Sequence, residues 1–307
     1  MNKQSKPTVT VGIPAFNEAA NIGTLIGRLF AQKIPNAEID RLIIVSDGST
    51  DRTADIVRGF SDPRIKLIEH AKREGIGRSQ QDITRQAKGD ILVLLNADVL
   101  PEDDTFIEEI IAPLRADPIV GLVSAATVSA LARNGVESIV ATSHAFKQFL
   151  YERVNGGRTI YLCHGRARAF SRAFYSEIDW PEDLPEDSFS YLLALERGFG
   201  STYAPKARII FRSPQTLRDH ARQSRRFWDG THRLEERFPR AVVRREFRIP
   251  PALLAVSFIR YSFQHPLRMF GYCVVSAVAR FWPLNAPLTH RNWEVSESTK
   301  SIPVGTP

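Results

Sequence analysis

Residues 89–104, Gly-Asp-Ile-Leu-Val-Leu-Leu-Asn-Ala-Asp-Val-Leu-Pro-Glu-Asp-Asp, constrain the fold more than any other stretch. The apolar run 91–95 is too short for a helix core, rich in branched side chains and preceded by Gly89. It predicts a strand buried on both faces, as in a parallel sheet. Asn96 and Asp98 follow at the strand's carboxyl end, the edge where open α/β sheets bind their ligands. Side chains two apart on an extended backbone share a face, and paired oxygen donors there suit a hard divalent cation. The alternative is an acidic turn, with Glu102, Asp103 and Asp104 favouring the start of the next helix through its dipole.

The chain upstream repeats the same grammar. Strands are predicted over 8–13, 41–45 and 64–69, and helices over 19–32, from the turn at 46–51 to about residue 60, and over 79–88. Apolar positions Ile22, Leu25, Ile26, Leu29 and Phe30 fall at helical spacing. A further helix is expected over 103–117. Strand and helix alternating in this way imply right-handed crossovers and a mainly parallel sheet. Asn17, Glu18, Asp47 and Asp98 then all follow strand ends and can face one crevice.

Composition narrows the class. The 307 residues suffice for one large domain with an appendage, or two domains. An apolar fraction of 43% and a charged fraction of 24% are ordinary for a globular protein. Two cysteines, Cys163 and Cys273, supply neither a disulfide framework nor metal-ligand spacing, which points to a reducing, cytoplasmic compartment. No apolar stretch precedes the first strand, so no signal peptide is expected. The formal charge of +7 is concentrated late, with fifteen Lys or Arg against five Asp or Glu between Pro205 and Phe270. That balance suits anionic headgroups, phosphates or nucleic acid.

Four segments together carry a resemblance: Ile-Pro-Ala-Phe-Asn-Glu at 13–18, Val-Ser-Asp-Gly-Ser-Thr-Asp at 45–51, Gly75-x-Gly77, and Gly-Asp-Ile-Leu-Val-Leu-Leu-Asn-Ala-Asp at 89–98. In order and spacing they resemble the nucleotide-sugar-binding half of family 2 glycosyltransferases, enzymes of the GT-A fold. The likeness is strong over residues 8–130 and fainter to about 230. It implies an α/β fold with a mainly parallel, Rossmann-like sheet flanked by helices. It also implies that Pro14, Ala15 and Glu18 line the base and ribose site, that Asp47 accepts from the base, and that Gly77, Arg78, Asn96 and Ala97 lie along the donor. Asp98 would hold Mg²⁺ or Mn²⁺ on the donor diphosphate. The chain departs from the family at Ser46 and Asn96, where Asp is usual, and at Ile76, where a basic residue is common.

Beyond residue 120, a strand is predicted over 121–128 and a helix over 136–154. Residues 161–170 resemble the family's strand before the acceptor site, with Arg166, Arg168 and Arg172 as additions able to meet an anionic acceptor or to form a basic strand edge. His164 suits a packed role as well as a ligand. Leu184-Pro185-Glu186-Asp187 opening a helix over 188–197 resembles the family's acidic pair, which makes Asp187, with Glu186 beside it, the expected general base of an inverting transfer. A helix-dipole role for both acids is the alternative. Gln223-Ser-Arg-Arg226-Phe-Trp resembles an element in which Arg226 would cover the diphosphate.

The expected organisation is a transferase domain over 1–238, an apolar and basic helical appendage over 239–293, and a disordered tail over 294–307. Two uncharged apolar runs, 249–259 and 269–279, are fenced by arginines. They are far shorter than the roughly 20 residues a membrane span needs and suit helices lying in a membrane interface, or packing on the catalytic domain or a second subunit. The expected function is transfer from a nucleotide diphosphate donor, a UDP-sugar, to a lipid-linked or saccharide hydroxyl, at the inner face of the cell membrane. A nucleotidyltransferase and a catalytically silent nucleotide-sugar-binding protein of the same fold are the rivals. Nucleic acid, suggested only by the late arginines, is not expected as a partner.

Overall fold

The computed structural model describes residues 6–281 and Ile302, without the side chains of 225–229 and 279–281. Its centre is one sheet of eight strands ordered β3-β2-β1-β4-β7-β6-β8-β5. The first half follows the predicted alternation: β1 (Thr8–Ala15), α1 (Ile22–Phe30), β2 (Glu38–Asp47), α2 (Thr53–Arg58), β3 (Ile65–His70), α3 (Ile76–Gln86) and β4 (Ile91–Leu95). These four strands pair in parallel. Every residue of β4 is buried, because helices cover both faces of a parallel sheet.

The two faces build two cores from alternate residues of the same strands. Leu42, Ile44, Val93 and Leu95 pack with Leu25, Ile26 and Leu29 of α1 and with Phe106 and Ile110 of α4 (Phe106–Ala116). Ile43, Val45, Leu92 and Leu94 pack with Ile83 of α3 and with Phe189, Leu192 and Leu193 of α7 (Glu186–Glu196). A one-residue slip of β4 would exchange these sets, so the register is strongly fixed.

The second half is less regular. Short β5 (Val99–Pro101) leads through α4 to β6 (Val120–Ser129) and α5 (Gly135–Tyr151). The Asn134 side chain caps α5 by accepting from Glu137 N–H at 2.8 Å. Then come β7 (Ala167–Ser171), α6 (Arg172–Tyr175), α7, β8 (Gly200–Phe211), α8 (Leu217–Arg237) and α9 (Arg240–Glu246). β7 runs antiparallel to both β4 and β6, and β5 antiparallel to β8, so the sheet is mixed rather than parallel throughout.

Two expectations change here. The strand predicted over 161–170 begins only at Ala167, and Ile160–Leu162 forms a 3-10 turn. The sequence reading also passed over β8, whose twelve residues contain Pro205 and Lys206. The pairing of β6 with β8 is interrupted there: Ala125 faces Ala204 and Ala126 faces Arg208. A bulge tolerates a proline that a regular ladder would not.

The apolar runs form α10 (Pro251–Gln264) and α11 (Pro266–Phe281). They dock on α5, where the Phe146 ring meets Phe258, Tyr261 and Tyr272 at centroid distances of 5.9, 5.5 and 5.9 Å. The predicted disordered tail lies outside the described residues except Ile302, whose N–H donates to Asn21 Oδ1 at 3.2 Å.

Candidate active site

The carboxyl ends of β1, β2 and β4 meet in one crevice. After β1, Asn17 turns the chain with φ of 53°, a conformation that Asn tolerates better than most residues. Its N–H donates to Ser49 Oγ at 3.1 Å, and its Oδ1 accepts from Thr50 N–H at 2.7 Å. Beside it Glu18 N–H donates to Thr53 Oγ1 at 2.8 Å, while Glu18 Oε2 accepts from Asn21 Nδ2 at 2.9 Å. The loop after β1 is thereby sewn to the loop after β2. Pro14 and Ala15 close β1 opposite Val45 and Ser46. The guanidinium of Arg73 lies 4.2 Å over the Phe16 ring.

Asp47 ends β2 and is nearly saturated. Its Oδ1 accepts from Glu74 N–H and meets His70 Nδ1, each at 2.7 Å, and its Oδ2 accepts from Gly75 N–H at 2.9 Å. A carboxylate has about four acceptor positions, so the loop before α3 occupies most of them. His70 reaches on through Nε2 to Asp82 Oδ2 at 3.0 Å. Burial disfavours charge on His70, but hydrogen bonds to Asp47 and Asp82 outweigh it, and its pKa rises above the usual histidine value. Gly48, at φ +65°, leaves no room for a Cβ against the Lys72–Arg73 backbone. Arg78 faces its own helix, with Asp82 at 3.1 Å and Glu74 at 3.5 Å. A Cβ on Gly77 would collide with the Pro181 carbonyl, so this glycine brings α3 against the segment leading to α7.

At the end of β4, Asn96 N–H donates to the Arg166 carbonyl at 2.9 Å. Ala97 is buried in the core and Asp98 is half-buried. Asp187 stands at the start of α7, also half-buried, its Oδ1 accepting from Ser188 N–H at 2.6 Å and Ser188 Oγ at 3.2 Å. Arg166 is within electrostatic reach of both Asp98 and Asp187. Burial is the larger influence on it and draws its pKa below the usual arginine value. Two carboxylates far apart in sequence thus act on one guanidinium. Glu186 is buried, with its carboxylate against Gly165, so Asp187 is the acid of the pair that keeps more contact with solvent.

The three arginines around β7 have three different environments, set by its antiparallel register with β4. Arg166 lies at the crevice end, opposite Asn96. Arg172 lies at the far end, where it pairs with Asp90 at 3.3 Å and donates to the Lys88 carbonyl. That position takes Arg172 away from the crevice and from any acceptor there. Arg168 points into the core, fully buried, and its Nη1 donates to the Glu186 carbonyl and Ser190 Oγ, both at 2.8 Å. It fixes the first turn of α7, and with it Asp187.

Among the described residues no group of three or more His, Cys, Asp or Glu side chains is arranged to hold a metal ion. Asp98 with Asn96 two residues before it is a small, hard donor set. It fits a cation completed by substrate phosphates and water, the mode Mg²⁺ prefers. The side chain of Arg226 lies outside the described residues.

A family model described as glycosyl transferase family 2 matches residues 10–179. The chain belongs to that family. Among curated relatives, an N-acetylglucosaminyltransferase of Rhizobium meliloti is 28% identical over 245 residues, covering 74% of this chain and 56% of the relative. The chain therefore spans about half the length of that protein. A mannosyltransferase of Pyrobaculum calidifontis, solved with GDP-Man and Mn²⁺, superposes with a TM-score of 0.59 at 21% identity, covering 92% of this chain and 77% of that one. TarS of S. aureus, solved with UDP-GlcNAc, gives 0.53 at 18% identity, covering 67% and 58%. Both solved structures share the GT-A fold with this family 2 chain.

Several residues at the site escaped the sequence reading. His70 and Arg73 sit in a segment with no periodic signal, and only the closure of the loop against Asp47 brings them in. Lys147 lies on α5, of which only the core face was legible, and His220 on α8, a helix the sequence reading did not assign. Cys163 is an inert thiol, since burial pushes its pKa up to about 11.

Proposed function

We propose that the protein is an inverting, metal-dependent glycosyltransferase that moves a sugar from a nucleotide diphosphate donor, a UDP-sugar, to a lipid-linked or saccharide hydroxyl. The observation that supports this reading is that Asp98 and Asp187, far apart in sequence, both lie within electrostatic reach of Arg166. Pro14, Ala15, Glu18 and the remaining acceptor position of Asp47 form the nucleoside end, in loops already rigid before a ligand arrives. Gly77 and Arg78 act by bracing the α3 end of that wall. Asn96 and Asp98 would hold Mg²⁺ or Mn²⁺, which supplies Lewis-acid stabilisation of the diphosphate leaving group, worth several kcal/mol.

The Asp187 carboxylate takes the proton of the acceptor hydroxyl as its oxygen attacks the anomeric carbon. Attack opposite the departing nucleoside diphosphate inverts the configuration through an oxocarbenium-like transition state. Arg168 keeps Asp187 aimed by holding the first turn of α7. Glu186, shut into the protein, tunes this turn rather than meeting substrate.

The domain expected over 1–238 then carries the chemistry, and the 239–293 appendage a peripheral membrane contact at the cytoplasmic face. On α10 and α11, Phe263, Leu267 and Phe270 are 84%, 86% and 71% exposed. An open apolar hollow of about 430 Å³ lies between α5, α10 and α11. Exposed apolar faces of this kind mark interaction surfaces. No helix among the described residues is long and apolar enough to cross a membrane.

Incubation with a panel of nucleotide sugars and Mn²⁺, scored by nucleotide release, tests the activity without needing the true acceptor. Metal-dependent release of UDP from one donor is expected. Turnover of NTP plus sugar phosphate instead would establish the nucleotidyltransferase, and binding without release the silent protein.

A further inference from the structure

On the α5 side of Asp98 and Asp187, five basic side chains converge from three parts of the chain. His144 and Lys147 come from α5, His164 and Arg166 from the segment entering β7, and His220 from α8. The Phe211 ring helps to organise them: the Arg166 guanidinium lies 4.0 Å over its face and the His144 ring meets it edge-on at 5.1 Å. His144 lies within electrostatic reach of Arg166, Lys147, His164 and His220, and His220 within reach of Lys147. No ion pair joins any of the five to a carboxylate among the described residues. His220 is only 6% exposed, and its Nδ1, like Nε2 of His144, has no hydrogen-bond partner among the described residues.

Crowding partly buried basic groups together is costly, and His144, Lys147, His164 and His220 show it. Burial and then Arg166 press His164 down to about 3, and burial and then Lys147 press His220 down to about 4. Burial likewise lowers Lys147 and, more strongly, His144. The cluster is built from donors whose cost an anion would relieve. Phosphate fits it best, since three or more oxygens can accept from several converging N–H groups at once.

We infer that His144, Lys147, His164, Arg166 and His220 form a subsite for a phosphate group carried by the acceptor, beside the hydroxyl that reaches Asp187. The inference rests on the glycosyl-transfer reading for its use of the word acceptor, but the anion site itself stands on the cluster. The phosphate can come from a lipid headgroup or from a soluble phosphate ester, and the two differ in whether an alkyl chain adds to the affinity.

Calorimetric titration at pH 7 with dodecyl phosphate, glycerol 3-phosphate, dodecanol and, separately, UDP with Mn²⁺ tests this on the full chain. Dodecyl phosphate is expected to bind, and Lys147→Met to weaken it by roughly ten- to a hundredfold, with Lys147→Arg restoring most of the affinity. UDP affinity should change by less than about twofold, as a site distinct from the donor's requires. Glycerol 3-phosphate binding as tightly as dodecyl phosphate would support the phosphate site and assign it a soluble source. Failure of both phosphates to bind, equal binding of dodecanol and dodecyl phosphate, or a parallel loss of UDP affinity in folded Lys147→Met would each overturn the inference. Absence of UDP binding to the wild type would count against glycosyl transfer and leave the phosphate titrations to decide the subsite.

Discussion

The two sides of the crevice are wired in opposite ways. On the side proposed for the nucleotide, Asn17, Glu18 and Asp47 spend hydrogen-bonding capacity on neighbouring loops, and His70 sits between two carboxylates. That wall is finished before a ligand arrives. Elsewhere in the crevice, basic groups crowd together, with nitrogens of His144 and His220 unpartnered among the described residues. The contrast teaches where each half gets its shape: the first from internal polar closure, the second from a scaffold strong enough to hold an incomplete site. Part of that scaffold is the Arg212–Glu137 ion pair at 2.6 Å, both side chains 0% exposed, which ties the end of β8 to the start of α5.

Perturbing each side should separate them. The largest effect is expected at Asp98. Asp98→Asn removes the single carboxylate offered to the cation and should reduce Mn²⁺-dependent UDP binding by more than about a hundredfold, since a hard cation loses its charged ligand. Unchanged affinity in a calorimetric titration would remove Asp98 from the donor site. Glu137→Gln comes next, because it leaves the Arg212 charge buried without its carboxylate. A stability loss of about 3–5 kcal/mol is expected in urea unfolding, and a loss below about 1 kcal/mol would mean that α5 is anchored elsewhere.

The smallest effect concerns His70. Its pKa is raised in the folded chain, so its contribution to stability is complete below the unfolded value of about 6.5 and is lost as pH rises through the folded value. Between pH 6 and 8 the wild type should therefore lose slightly more melting temperature than His70→Gln does. Parallel curves would show that Asp47 and Asp82 hold the loop without the imidazolium.

Much of this was legible in the chain itself, for identifiable reasons. The parallel half announces itself because strands buried on both faces are short apolar runs, as at Ile91–Leu95. The turn chemistry of Asn17 and Asp47 marks their ends. β8 was illegible because Pro205 and Lys206 interrupt it, and only a bulge against β6 reconciles them with a strand. The divergence of Arg166, Arg168 and Arg172 was equally hidden, since it depends on the antiparallel register of β7 with β4. The basic cluster could not be foreseen, because Lys147 of α5 and His220 of α8 come within electrostatic reach only in the folded chain.

Asp187→Asn tests the central claim most directly. UDP–Mn²⁺ affinity and UDP release should be measured side by side, with whichever donor the wild type turns over. Donor binding should stay within about twofold while release falls by roughly 10²- to 10⁴-fold, the usual weight of a general base. Release at the wild-type rate, or a loss of UDP affinity as large as the loss of turnover, would contradict the assignment of Asp187 as the base.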